Sequence, residues 1–78
     1  MELDLRGMAS DEAILELDMF INRSLMSHLG QVTVIHGKGT GALRKAVHEI
    51  LKRNKAVKSF RLGRYGEGEA GVTVVELK

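Results

Sequence analysis

The chain has 78 residues, 28% charged and 44% hydrophobic, with no cysteine, proline or tryptophan and a formal net charge of +2. That is one small domain, which buries roughly 60% of its unfolded surface, and it excludes disulfides and thiolate metal sites. No apolar run reaches membrane-spanning length and the acidic start has no signal-peptide character, so a cytoplasmic protein is the default expectation.

Residues 2–6, Glu-Leu-Asp-Leu-Arg, alternate strictly and predict a half-buried strand ended by Gly7. Leu3 and Leu5 point one way; Glu2, Asp4 and Arg6 point the other. Ser10 reads as the N-cap of a helix whose first turn carries Asp11 and Glu12. Ala13, Ile14, Leu17, Phe20, Ile21, Leu25 and Leu29 make one apolar stripe over about five turns, and Gly30 is the expected stop. Met19 and Met26 read as core filler or rim.

Residues 31–36 predict a second strand, and the spacing then predicts a second helix from about Gly41 to Arg53 with Thr40 as N-cap. Leu43, Val47, Ile50 and Leu51 form its stripe. Arg44, Lys45, His48, Lys52 and Arg53 take the other faces, with His28 and His48 expected to face solvent. Val57–Leu62 reads as a third strand. Residues 63–71 hold four glycines in a loop too long for a tight hairpin. Val72–Leu77 is the last strand, antiparallel to the third.

The order β-α-β-α-β-β predicts an α/β two-layer sandwich, with a mixed four-stranded sheet and both helices on one face. A right-handed crossover makes the first two strands parallel. Their C-terminal ends, with Arg6 and His36, then share the edge at which open α/β sheets bind ligands.

At that edge lies His36-Gly37-Lys38-Gly39-Thr40-Gly41. Free amides and the dipole at a helix start favour an anion there. The Walker A spacing is absent. Gly37, Gly39 and Ala42 match the dinucleotide pattern literally, but Lys58 and Arg61 stand where its ribose-binding acid belongs. What remains is a phosphate site. His36 is either a proton-transfer group or a structural histidine at a strand end. Lys38 and the Arg6 fork suit phosphate. Asp4 can orient Arg6, hold a hydrated Mg²⁺, or be a solvated carboxylate.

Charge is unevenly spread: residues 23–64 carry ten Lys and Arg against Glu49 alone, whereas residues 1–22 carry six carboxylates against Arg6. The basic middle is either a solvated face or an anion-binding surface. Among the few aromatics, Phe20 and Phe60 read as core. Only Tyr65 is placed to stack on a base, which favours recognition by backbone and shape.

Leu3-Asp4-Leu5-Arg6-Gly7, His36 to Gly41 with Leu43-Arg44, Gly66-Glu67-Gly68 and Gly71-Val72-Thr73-Val74 resemble the small MutS-related (Smr) domain. The likeness is to the version at the C-terminus of bacterial MutS paralogues that act outside mismatch repair. It covers the whole chain. It implies a sandwich similar to the C-terminal domain of a bacterial translation initiation factor, nucleic-acid binding, and nicking endonuclease activity in some members. It also implies a larger parent with an ATPase core, linked to suppression of homologous recombination and to stalled ribosomes. The family's first motif falls on Asp4 and Arg6, and its second on His36, Gly37 and Gly39. Many members have histidine where this chain has Arg6; arginine is usual for this bacterial branch.

Two functions are then expected. In the first, residues 1–78 are an endonuclease-type domain, a C-terminal piece of a larger protein, with His36 as general acid/base. Arg6, Lys38, Arg44, Lys45 and the amides of Gly37, Gly39, Thr40 and Gly41 hold the phosphate. Asp4 orients Arg6 or holds a metal; no cofactor is fixed, and Mg²⁺ or Mn²⁺ is what such a site would take. In the second, the same surface docks without cutting. Branched or double-stranded DNA is the expected partner, with RNA or the ribosome as the other candidates.

Overall fold

The alternating segments become four strands and the two apolar stripes become two helices. The computed structural model describes all of residues 1–78. They run β1 (Glu2–Asp4), α1 (Ser10–Met26), β2 (Gln31–Ile35), α2 (Ala42–Arg53), β3 (Val57–Leu62), a 3₁₀ turn (Glu69–Gly71) and β4 (Val72–Leu77). The sheet order is β1-β2-β4-β3, with β1 parallel to β2 and β4 antiparallel to both its neighbours.

Register decides which residues meet the helices. Leu3 pairs with Val34 and Val34 with Thr73, while Val32 pairs with Val75 and Phe60 with Val75. Paired residues share a face. That face joins Leu17, Phe20 and Ile21 of α1 and Val47 and Leu51 of α2 in one core. Both helices pack on it and on each other, as expected for a two-layer sandwich.

Element ends depart from expectation in instructive ways. The ladder of β1 stops at Asp4, because after Leu5 donates to the Ile35 carbonyl at 2.7 Å the chain turns at Gly7. Ser10 is the first helical residue rather than the cap; Ala9 holds that position, and its carbonyl takes the Ala13 N–H at 2.9 Å. Helix α1 ends before Gly30. His28 takes the left-handed conformation, φ 60°, while the Leu29 N–H bonds the Ser24 carbonyl and the His28 N–H the Leu25 carbonyl, both at 3.0 Å. That double closure is the Schellman arrangement, with histidine where glycine was expected. Met19 and Met26 are exposed, Met26 by 80%, so neither fills the core. Strand β3 slips register between Val57 and Ser59, which explains its weak alternation.

Candidate nucleic-acid interface

Because β1 and β2 are parallel and β4 runs back beside β2, three segments meet at one sheet edge. They are the end of β1, the turn after β2, and the start of β4. The Gly71 carbonyl ties two of them together, accepting the His36 N–H at 3.1 Å and the Gly37 N–H at 2.9 Å.

Gly37, Gly39 and Gly41 all have positive φ, a conformation that costs a side-chain-bearing residue about 1–2 kcal/mol. Gly41, not Thr40, is the residue before α2; the Thr40 hydroxyl accepts only the Ala42 N–H, at 3.3 Å. The amides of Lys38, Gly39, Thr40, Gly41, Leu43 and Arg44 donate to no other group of the protein. They belong to the wall of a cleft of about 310 Å³, which Met8, Ala9 and Ser10 at the start of α1 complete. Both helices therefore begin at this cleft, and two positive dipole ends serve it. Lys38 and Arg44 line it as cations, and the Arg44 guanidinium folds back toward Gly41. Lys45, one helix position further, is exposed and lies outside it.

Arg6 stands in an adjoining recess with Ile35, Gly68, Gly71 and Val72; Gly37 and Lys38 line both spaces. The Arg6 stem lies against Gly37, where an added Cβ would be 3.4 Å from its Cγ. Asp4 holds the guanidinium. Arg6 Nε donates to Asp4 Oδ1 at 3.0 Å and Oδ2 at 3.2 Å, Nη2 donates to Oδ2 at 2.7 Å, and the Arg6 amide reaches Oδ1 at 3.0 Å. These bonds lower the Asp4 carboxyl to about 2. Of the three roles open to Asp4, orienting Arg6 is the one its contacts show.

His36 is 5% exposed at the cleft wall. Its Nδ1 lies 2.9 Å from the Gly37 carbonyl and its Nε2 2.8 Å from Thr73 Oγ1. A carbonyl only accepts, so Nδ1 carries the hydrogen, and in the neutral ring Nε2 accepts from the Thr73 hydroxyl. Thr73 Oγ1 in turn accepts from His48 Nε2–H at 2.7 Å. Contrary to expectation, His48 does not face solvent. It packs edge-on to His36 and against Phe60, with centroids 6.0 Å and 5.0 Å away. Burial lowers its pKa, helped by the positive fields of His36, Arg44 and Lys52. Thr73 and His48 are the functional neighbours that sequence reading missed. One signal was available: Val75 and Leu77 face inward, so Thr73 must too, and a buried hydroxyl needs a partner.

The Smr domain family model matches residues 3–78. The chain belongs to the Smr domain family. It is 59% identical over 76 residues, 97% of its length, to the protein named Endonuclease MutS2 in Clostridium acetobutylicum. It is also 59% identical, over its whole length, to the Caldicellulosiruptor bescii protein of that name. The chain spans about a tenth of the length of these curated relatives, 10% in each. Its structure is similar to the crystal structure of the Smr domain of Thermus thermophilus MutS2, with a TM-score of 0.97, 48% identity and coverage of 99% of this chain and 96% of that one. It is also similar to YdaL, a stand-alone small MutS-related protein from Escherichia coli, at TM-score 0.94 and 25% identity over 99% of this chain and 63% of that one.

In this Smr domain the sequence-predicted residues Asp4, Arg6, His36, Gly37, Lys38, Gly39, Thr40, Gly41 and Arg44 do come together at one edge, divided between two recesses. The donor set does not fit a resident metal. No three His, Asp or Glu side chains cluster, and both Asp4 oxygens are engaged by Arg6. The chemistry on offer is anion binding by amides and cations.

Proposed function

We propose that this Smr domain grips a backbone phosphate of nucleic acid in the cleft between its two helix starts, and that it is the nucleic-acid-engaging, nicking part of a MutS2-type protein. The observation that supports this is the set of unbonded amides at Lys38–Gly41, Leu43 and Arg44 beside the Lys38 and Arg44 side chains. Arg6, oriented by Asp4, would take a second phosphate oxygen or the neighbouring phosphate through its remaining N–H groups. Lys45, outside the cleft, would add general attraction. Branched or double-stranded DNA is the partner we assign, with RNA or a ribosome second. We assign the domain to the C-terminal part of an ATP-binding parent that suppresses recombination.

His36 is the imidazole available for acid/base work. To serve, its Nδ1–H must exchange the Gly37 carbonyl for an oxygen of the substrate, while Thr73 keeps Nε2. The second reading, a module that docks without cutting, is favoured by the same pair of bonds, because both ring nitrogens are already satisfied. Supercoiled plasmid separates the two readings when it is incubated with Mg²⁺, Mn²⁺ or chelator. Nicking by the wild-type domain that is lost in His36→Ala, with binding retained, supports cutting. Nicking that survives His36→Ala removes His36 from the chemistry. Salt-sensitive binding without nicking in any condition leaves the docking module.

A further inference from the structure

The loop between β3 and β4 carries the chain's one tyrosine, Tyr65, 95% exposed and outside both recesses of the phosphate edge. The loop is not slack. Arg61 Nη1 donates to Glu67 Oε1 at 2.8 Å and Nη2 to Oε2 at 3.3 Å, and the Arg64 amide reaches the same Oε1 at 2.7 Å. The Glu67 N–H returns to the Arg64 carbonyl at 2.8 Å, and the Gly63 N–H is shared between the Glu69 and Val72 carbonyls. A Cβ on Gly68 would stand 2.7 Å from Val72, so that strand of the loop is seated directly on the sheet. The backbone is thus fixed on both sides of Tyr65, while the ring itself stays in water. A ring held out on a fixed backbone loses little freedom when a partner covers it.

The loop also belongs to the phosphate edge. Its last residue, Gly71, accepts the His36 and Gly37 amides, and Gly68 and Gly71 line the recess shared with Lys38. Tyr65 precedes Gly68 by three residues, a reach of at most about 11 Å. A strand of duplex carries one phosphate about every 3.4 Å along its axis. Within a duplex both faces of each base are covered by neighbours, so a projecting ring finds a free face only on an unpaired or terminal base. We propose that Tyr65 stacks on an unpaired nucleobase within about three nucleotides of the phosphate that Arg6 and Lys38 hold in the recess lined by Gly68 and Gly71. The domain then prefers a junction between duplex and single strand to an uninterrupted duplex. This rests on the phosphate reading above.

With no tryptophan and one tyrosine, the intrinsic emission of the chain reports on residue 65 alone. The probes are a duplex interrupted by a short single-stranded gap and the same duplex with abasic sugars in the gap, which keep the phosphates and remove the bases. Emission is expected to be quenched by the first and not by the second. Tyr65→Ala should weaken binding to the gapped duplex about tenfold and leave the abasic one unchanged. Tyr65→Phe should bind like the wild type, and Lys38→Ala should weaken both probes alike. Circular dichroism of Tyr65→Ala is expected to match the wild type, since the ring packs on nothing. If Tyr65→Ala binds both probes as the wild type does while Lys38→Ala loses both, the stacking proposal is overturned and the phosphate reading stands. If the wild-type domain binds neither probe at low salt, both fall together.

Discussion

The turn at residues 37–41 and the loop at residues 63–71 are the two glycine-rich segments of the molecule, and they touch through Gly71. In sequence they look alike, and both contain glycines with positive φ. In structure they differ: four of the nine loop amides are bonded, but in the turn only that of Gly37. The turn leaves its amides from Lys38 to Gly41 unbonded and sets cations beside them. The loop bonds the Gly63, Arg64, Glu67 and Gly71 amides within itself or to β4, closes with an ion pair, and seats Gly63 and Gly68 against Val72. Glycine content therefore identifies neither a phosphate site nor a flexible segment. What identifies the site is where the hydrogen bonds go.

The largest expected difference between the two segments is in tolerance of a methyl group. Gly68→Ala combines φ +104° with a Cβ 2.7 Å from Val72, and should cost about 2–4 kcal/mol by urea denaturation. Gly39→Ala has φ +29° and nothing within 4 Å, so it should cost only about 1 kcal/mol while weakening phosphate binding. Equal stability losses at both positions would erase the distinction.

Next in size is the anchor beneath the turn. Thr73→Val removes the hydroxyl between two imidazoles and should cost about 1–3 kcal/mol, because both Nε2 atoms lose their partner in a dry place. Thr73→Ser keeps the hydroxyl and gives up only a methyl group, for about 1 kcal/mol. Imidazole nitrogen shifts should show His36 as the Nδ1–H form in both proteins, held by the Gly37 carbonyl, with the Nε2 resonance moving in Thr73→Val as its donor is lost. A sign follows for acid. The folded His48 pKa lies below its ordinary 6.5, so the unfolded chain takes the proton first. The stability contributed by neutral His48 is present above pH 6.5 and lost as pH falls below it.

The fold was legible because it rests on periodicity. Leu3, the α1 stripe apart from half-buried Ile14, Val32 and Val34, the α2 stripe and Val75 land in or against the core that their spacing implies. The edge was legible too, since parallel β1 and β2 must end together and the glycines of the turn need positive φ. The strand order was not. Placing β4 between β2 and β3 is a long-range choice, and it alone brings Thr73 under His36 and Gly71 beside Gly37. His48 borders the α2 stripe, where spacing alone cannot tell an inward ring from an outward one. His28 ended a helix where glycine was expected because two backbone hydrogen bonds offset the cost of its φ.

A smaller effect on stability, though not on binding, is expected from the cations of the turn. Lys38 is exposed and Arg44 only partly covered, so Lys38→Ala and Arg44→Ala should each stay within about 0.5 kcal/mol in stability. Each should reduce the salt slope of nucleic-acid binding by about 1. Arg64→Ala, on the self-bonded loop, is the control; a slope change there as large as at Lys38 would mean that charge and not free amides defines the surface.

The smallest stability effect belongs to the ion pair that closes the loop, because Arg61 and Glu67 are exposed and surface pairs contribute little. Its signature is in pH. Hydrogen bonds from Arg61, then from the Arg64 amide, lower Glu67 from 4.5 to about 2. The contribution is therefore present above pH 4.5 and lost as pH falls toward 2, since the unfolded carboxylate takes its proton first. A carboxyl-carbon NMR titration should find a Glu67 midpoint near the low value, and a midpoint at 4.5 would mean that the loop is open in solution. Glu67→Gln should speed hydrogen exchange at Arg64 and leave exchange at Gly37, bonded to Gly71, unchanged. Asp4→Asn gives the mirror test. Asp4 is lowered to about 2 by Arg6, on the other side of the same edge, and its loss should free Arg6 without touching the loop. If Glu67→Gln also accelerates exchange at Gly37, the two glycine segments are one cooperative unit, and the open turn depends on the closed loop to hold its shape.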